Sequence, residues 1–315
     1  MLAAPNHTVQ TKIKFVKMSG VGNDFVIFDA RQFSEFSLNI AQIQKIANRK
    51  IIGCDQLIVI KNPLPQKKGN AANIDLVDAD KTQNPDFLPD CLIEIYNPDG
   101  SKSGACGNAT RCVAAILFSE NSNKSEINIK TAARVLKCWR ADKNLSDENL
   151  ISVDMGIPSF DWQKIPLLQQ TNTQKISLFN FDFACVNVGN PHAVAFVSAP
   201  LSDEKFFEIG SKVETNQIFP QKTNVEFAQI LSQNLIEVRV WERGAGETLA
   251  CGSGACAVAI LAIKNGLVPF SIKKITTRFK GGNLTIEWNG DNSPVIMTGG
   301  YEKNFAGELD ESFFQ

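Results

Sequence analysis

Residues 241–256 read WERGAGETLACGSGAC, and residues 96–112 read YNPDGSKSGACGNATRC. In each stretch an aromatic residue, Trp241 or Tyr96, precedes an Ala-Cys-Gly triplet by the same interval, and the two cysteines, Cys251 and Cys106, lie 251 − 106 = 145 positions apart. Each cysteine follows a strand-like run and a glycine turn. Each is followed by small residues and an apolar run, residues 255–263 in one case and 113–118 in the other. A cysteine at such a boundary faces the free N–H groups and positive end of a helix, an environment that favours thiolate over thiol. Upstream of the two stretches lies a second echo: Val21-Gly22-Asn23 before the strand-like residues 25–28, and Val188-Gly189-Asn190 before 193–196. Two matches in the same order indicate an internal duplication. A duplicated fold places its equivalent elements about a pseudo-twofold axis, so the two cysteines are expected to face each other across an interdomain cleft.

The chain has 315 residues, enough for two domains with a core each. A net charge of −1 gives no field for nucleic acid or an anionic membrane, and no apolar run is long enough to span a bilayer. Residues 1–12 lack the apolar core of an export signal and are expected to form a flexible N-terminal extension. The eight cysteines include no C-x-x-C pair, and His7 and His192 are the only histidines. No metal site is expected, and free thiols in a cytoplasmic compartment are.

Alternating apolar residues and turn signals predict strands at 13–18, 25–28, 57–60, 92–96, 126–131 and 135–140 in the first half. The second half is expected to supply strands at 151–155, 183–188, 225–230, 235–241, 273–279, 283–287 and 295–298. Helices are expected at 39–49, with Asn39 as cap, after each paired cysteine, and within 201–215. Residues 61–90 read as an irregular surface excursion with a short strand at 74–77, and 143–149 as the connection between halves. Strands outnumber helices, so the class is α+β.

Two opposed cysteines suit the transfer of a proton from one face of a carbon to the other, one thiolate removing it while a thiol returns another. The helix N-termini would also cradle a carboxylate whose charge grows as the carbanion forms. Cys112 and Cys256, inside the apolar runs, read as buried small hydrophobes, as do Cys54, Cys91, Cys138 and Cys185. Turn chemistry alone accounts for asparagine at Asn23, Asn97, Asn190 and Asn224. Beside Cys251, Arg243 could clamp a carboxylate and Glu242 an ammonium; a solvated ion pair is the simpler alternative. His192 tunes a thiol if it lines the cleft, and is otherwise a turn residue.

These motifs resemble diaminopimelate epimerase. The resemblance runs from Lys17-Met18-Ser19-Gly20-Val21-Gly22-Asn23-Asp24-Phe25 to Gly281-Gly282-Asn283-Leu284. It is most specific at residues 97–101 (NPDGS), 106–112 (CGNATRC), 189–192 (GNPH), 242–248 (ERGAGET) and 250–254 (ACGSG). It implies two similar strand-rich domains related by pseudo-twofold symmetry, each a β shell around a central helix. The expected limits are 13–149 plus 299–315, and 150–298. It further implies an isomerase without cofactor that epimerises LL- to meso-2,6-diaminopimelate, a precursor of lysine and peptidoglycan, with Cys106 and Cys251 as the base and acid pair. By the same resemblance Asn23, Gln56, Asn97, Asn190, Asn224 and Arg243 hold the substrate, largely at its non-reacting end. Gly107, Asn108, Gly252 and Ser253 hold the reacting carboxylate, Glu242 lies near the reacting amine, and His192 assists the thiols. The expected partner is the small-molecule substrate, with a homodimer as a further option and neither nucleic acid nor membrane. The chain departs from the pattern in the length of 61–90 and in Ala109-Thr110 after the first cysteine. A proline-racemase-like enzyme and a non-catalytic amino-acid-binding relative stay open as alternatives. A thiol redox protein would carry C-x-x-C.

Overall fold

The computed structural model describes residues 12–63, 88–141 and 149–314. The first repeat runs β1 (Lys12–Gly20), β2 (Asn23–Asp29), α1 (Ile40–Ala47), β3 (Gln56–Lys61), β4 (Cys91–Tyr96), β5 (Lys102–Ser103), α2 (Gly107–Glu120), β6 (Glu126–Lys130) and β7 (Val135–Arg140). Next come β8 (Leu150–Asp154) and β9 (Ile176–Leu178). The second repeat runs β10 (Phe181–Asn187), β11 (Pro191–Phe196), α3 (Asp203–Glu214), β12 (Asn224–Ser232), β13 (Leu235–Glu242), β14 (Gly246–Thr248), α4 (Gly252–Lys264), β15 (Lys274–Phe279) and β16 (Gly282–Trp288). It is followed by β17 (Val295–Gly300), β18 (Glu302–Asp310) and a short 3₁₀ turn at Glu311–Phe314.

The pairing repeats strand for strand. In the first repeat β1–β2 is antiparallel, β2–β3 parallel, β3–β4 and β4–β5 antiparallel, β4–β6 parallel and β6–β7 antiparallel. In the second, β10–β11 is antiparallel, β11–β12 parallel, β12–β13 and β13–β14 antiparallel, β13–β15 parallel and β15–β16 antiparallel. Such agreement is the signature of a duplicated α+β unit. β8 pairs with β7 and β17, which joins the two shells along one seam, and β18 lies antiparallel to β1.

Each shell curls around one helix. Along α2, residues 108–115 are all buried, and along α4 every residue from Gly254 to Ile263 is. A helix apolar on all sides belongs in a core rather than on a surface. Both helices sit in one continuous core that draws on both repeats, Val113 and Phe118 from one, Val258 and Leu261 from the other. α1 and α3 are amphipathic and cover the outer faces. Ile43 and Ile46 pack with Phe28 and Leu57, while Phe206 and Val213 pack with Phe183 and Phe227. The α1 cap is Asn39, as its residue type suggests, and it forms a reciprocal capping box with Gln42.

Several expectations need adjustment. α1 ends at Ala47 rather than Arg49, since Asn48 has left the helical region at ψ 120°. β5, β9, β14 and β18 are not among the expected strands. β18 has no buried residue, so its sequence lacks apolar alternation, and it is held mainly by its ladder to β1. The expected strand at 74–77, the extension at 1–12 apart from Lys12, which opens β1, and most of 143–149 lie outside the described residues.

The β1–β2 connection is a two-residue turn with φ +51° at Val21 and +83° at Gly22. The chain comes so close to the β15–β16 turn that a Cβ on Gly281 would stand 2.6 Å from the Val21 carbonyl oxygen and 2.9 Å from the Gly22 Cα. Backbone faces backbone, so neither side can yield cheaply. Gly281→Ala is expected to destabilise the fold by about 2 kcal/mol or more, the cost of overpacking a rigid contact. Thermal unfolding of the variant against the parent protein checks this.

Just beyond that turn, Asp24 receives the Lys17 ammonium at 2.5 Å and the Arg49 guanidinium at 2.5 Å, and Lys17 also donates to the Gly53 carbonyl. Burial raises the Asp24 pKa, but the hydrogen bonds from Arg49 and Lys17 outweigh it and hold the carboxyl at about 2, below its ordinary 3.8. The folded pKa is depressed, so this contribution is complete above pH 3.8 and disappears as pH falls through 2. Its size is on the order of 1–2 kcal/mol once solvent screening is allowed for. Asp24→Asn is expected to flatten the acid limb of a plot of melting temperature against pH over that window.

Candidate active site

The two helix-capping cysteines have nearly the same backbone, φ −146° and ψ 112° at Cys106, φ −130° and ψ 118° at Cys251. Both are extended N-cap conformations, and neither side chain makes a standard capping hydrogen bond, although Cys251 Sγ lies 3.5 Å from Ser253 Oγ. The first-turn N–H groups of α2 and α4 are therefore left without a side-chain cap. Both mouths open on one cavity of about 930 Å³. A Cβ on Gly107 would meet Met297 Cε at 2.8 Å, and one on Gly252 would meet Met297 Sδ at 2.9 Å and Asn108 Oδ1 at 3.5 Å. The thioether of Met297 thus wedges between the two first turns. Glycine at both positions lets the helix ends come that close.

The cavity wall includes Asn23, Gln56, Asn97, Gly107 and Asn108 from the first repeat, and Asn190, Asn224, Glu242, Arg243, Gly252 and Ser253 from the second. Their amides are tied down. Gln56 Nε2 donates to Asn97 Oδ1 (3.1 Å), whose Nδ2 donates to Ser101 Oγ (3.0 Å). Asn108 Nδ2 donates to Asn23 Oδ1 (2.6 Å). Asn224 Nδ2 donates to the Pro191 carbonyl (2.8 Å), and Asn224 Oδ1 accepts from the Arg243 amide (3.0 Å). Glu214 fastens the Arg243 turn from behind, accepting from Trp241 Nε1 (2.7 Å) and from the Gly244 amide (2.9 Å). Arg243 Nη1 donates to the Gln221 carbonyl (3.2 Å) and not to Glu242, so the two form no ion pair with each other.

His192 does not line the cavity. It is fully buried one layer back, with Nδ1 2.7 Å from Glu226 Oε1 and Nε2 2.9 Å from Asn190 Oδ1. Its neighbour in the parallel β11–β12 ladder is Asn224, which does line the cavity. His192 reaches the site through Asn190, through Glu226, which sequence reasoning missed, and electrostatically at Glu242. A Cβ on Gly254 would stand 2.7 Å from Glu226 Oε1, so this carboxylate lies against the first turn of α4. In the sequence, Glu226 is one polar residue in an apolar strand, which gives no sign of a histidine partner.

The thiols also differ from expectation. Burial pushes Cys106 up to about 11, while the backbone amides of Ala109 and Asn108 pull it part of the way back. Cys251 is driven well above its ordinary value by burial, then by the carboxylates of Glu242 and Glu226, against hydrogen bonds from Ser253 and Gly254. Desolvation of a thiolate outweighs the helix-end amides, and the expected thiolate-favouring environment is corrected accordingly. Burial likewise raises the Glu242 carboxyl, opposed by hydrogen bonds with Thr248 and Cys251. The other cysteines are buried and unpaired. Among the described residues no group of three or more His, Cys, Asp and Glu could hold a metal ion, and no helix is long and apolar enough to cross a membrane.

Comparison with known proteins agrees with this architecture. Residues 15–160 and 184–304 match the family model for diaminopimelate epimerase. The diaminopimelate epimerase of Rhodospirillum centenum is 39% identical over 303 residues, covering 95% of this chain and 93% of that protein. That of Pelagibacter ubique is 41% identical over 292 residues, covering 89% and 93%. Among solved structures, a hydroxyproline epimerase from Agrobacterium vitis superposes with a TM-score of 0.62 at 11% identity, covering 95% and 93%. A PhzF-family phenazine biosynthesis protein from Bacillus anthracis gives 0.60 at 12%, covering 95% and 99%; both likenesses speak to the fold alone. With two glycine-flanked cysteines at the mouths of duplicated helices and relatives matching over nearly the whole chain, this protein belongs to the diaminopimelate epimerase family.

Proposed function

We propose that the protein interconverts LL- and meso-2,6-diaminopimelate by a two-base reaction at Cys106 and Cys251, in the supply of lysine and peptidoglycan precursors. The observation that carries this reading is the convergence of two equivalent cysteine-capped helix ends on one cavity. Inversion needs a group on each face of the α-carbon, because a single base returns the proton to the side it came from. One cysteine takes the α-proton as thiolate while the thiol of the other delivers a proton to the opposite face. The uncapped amides at Gly107, Asn108, Gly252 and Ser253 receive the reacting carboxylate, whose charge increases as the carbanion forms. Arg243 and the asparagines Asn23, Asn97, Asn190 and Asn224, with Gln56, hold the distal end. Glu242, hydrogen-bonded to Cys251, serves the reacting amine and exchanges a proton with that thiol. His192 acts from behind Asn190.

We take residues 13–149 with 299–315, and 150–298, as the two domains, a division supported by the pairing of β18 with β1. Eight free cysteines suit a reducing, cytosolic setting.

Purified protein given LL-diaminopimelate in D₂O should form the meso isomer with deuterium at the inverted carbon. A need for added pyridoxal phosphate would sink the cofactor-free mechanism. Cys106→Ala and Cys251→Ala should each lower epimerisation by at least about 100-fold. Normal turnover by either variant would rule out the two-base assignment. The Glu242 carboxylate raises Cys251, so Glu242→Gln should let Cys251 react with iodoacetamide at lower pH while kcat/KM falls. Mapping the alkylated peptides at a series of pH values measures the first effect and steady-state kinetics the second.

A further inference from the structure

Arg111 is the bulkiest fully buried side chain among the described residues. Every hydrogen-bond partner it has there is neutral: Nη1 donates to Asn108 Oδ1 (3.0 Å) and lies 3.7 Å from Met297 Sδ, and Nε donates to the Gly300 carbonyl (3.4 Å). Nη2 has no partner. The guanidinium cannot swing elsewhere, because Gly299 and Gly20 press on it; a Cβ on the first would stand 3.0 Å from Cζ and on the second 3.4 Å from Nη2. An ion buried without a counter-ion is among the costliest arrangements a core can hold.

The two repeats differ at this position. Arg111 follows Cys106 by five residues, as Cys256 follows Cys251, and both are fully buried. One helix thus carries a fixed cation behind its N-terminus where the other carries a neutral thiol. The groups facing Arg111 are the thiols of Cys112, Cys106, Cys138 and Cys256. Glu242 and Arg111 act on Cys106, whereas the charges that act most on Cys251 are the carboxylates of Glu242 and Glu226.

We propose that Arg111 is a positioning residue for Cys106. Its unanswered charge makes the mouth of α2 the more anion-tolerant of the two, and its hydrogen bond fixes Asn108 with the amide oxygen inward and the NH₂ toward Asn23. The negative charge that completes the guanidinium is the Cys106 thiolate or the substrate carboxylate at that mouth. This rests on the two-cysteine reading above, but its assay uses no substrate, so inactivity toward diaminopimelate and an Arg111-independent thiol are separate results.

The experiment is alkylation of the full chain with iodoacetamide across a pH series, each cysteine being followed by peptide mass. Arg111→Gln should move the Cys106 midpoint up by about one pH unit, about tenfold in thiolate at a given pH, and leave the Cys251 midpoint in place. Arg111→Lys, which keeps the charge, should restore the Cys106 midpoint. An unmoved Cys106 profile in folded Arg111→Gln, an equal shift at both cysteines, or no rescue by lysine would overturn the proposal. If Arg111→Gln does not fold, the unaltered protein decides. The ratio of the iodoacetate rate to the iodoacetamide rate should be higher at Cys106 than at Cys251, and an equal or lower ratio overturns it.

Discussion

Burial of α2 and α4 along their lengths leaves the N–H groups of their first turns with nowhere to point but the cavity. A surface helix satisfies these groups with water or with a serine or aspartate cap. Here the caps are cysteines, which lack the oxygen of a standard cap, and the next residues are glycines so that the two ends can close on Met297. Most of the site follows from that constraint. Two positive helix ends in a low-dielectric space demand an anion, and both capping cysteines line the same cavity.

Duplication provides both mouths, and departures from it make them unequal. Equivalent positions carry Asn23 at the start of β2 and Asn190 just before β11, and Gln56 and Asn224 at the starts of β3 and β12. Against that background the second repeat adds Glu242, Arg243 and the buried Glu226–His192 pair, while the first adds Arg111. A substrate with two chemically different ends needs such inequality, since a strictly symmetric cleft could not tell the reacting end from the distal one.

The repeat made much of this legible from residue types alone. Alternation located most strands, the Ala-Cys-Gly triplets located both helix mouths, and every site residue read from the sequence except His192 lines the cavity. What escaped depends on tertiary burial. The helix-end argument for the thiols counted local amides correctly but had no measure of desolvation, which is the larger effect at both cysteines. Arg111, just before the apolar run at 113–118, carries no sign of its burial in the sequence, which the closeness of Gly20 and Gly299 enforces. β18 escaped for the opposite reason, since an edge strand with no buried side chain leaves no pattern to read.

The ladder between β1 and β18 aligns Lys12 with Asp310. During synthesis β1 leaves the ribosome before any other described element, yet one of its two partners is nearly the last. At roughly 5–20 residues per second, its outer edge waits between a quarter of a minute and a full minute for that partner. Until then the nascent chain presents an open strand edge that carries Phe15, the kind of edge on which neighbouring copies associate. The many charges on β18 and at the start of β1, Lys12 and Lys14 facing Glu308 among them, keep both edges soluble during the delay and bring them into register when it ends.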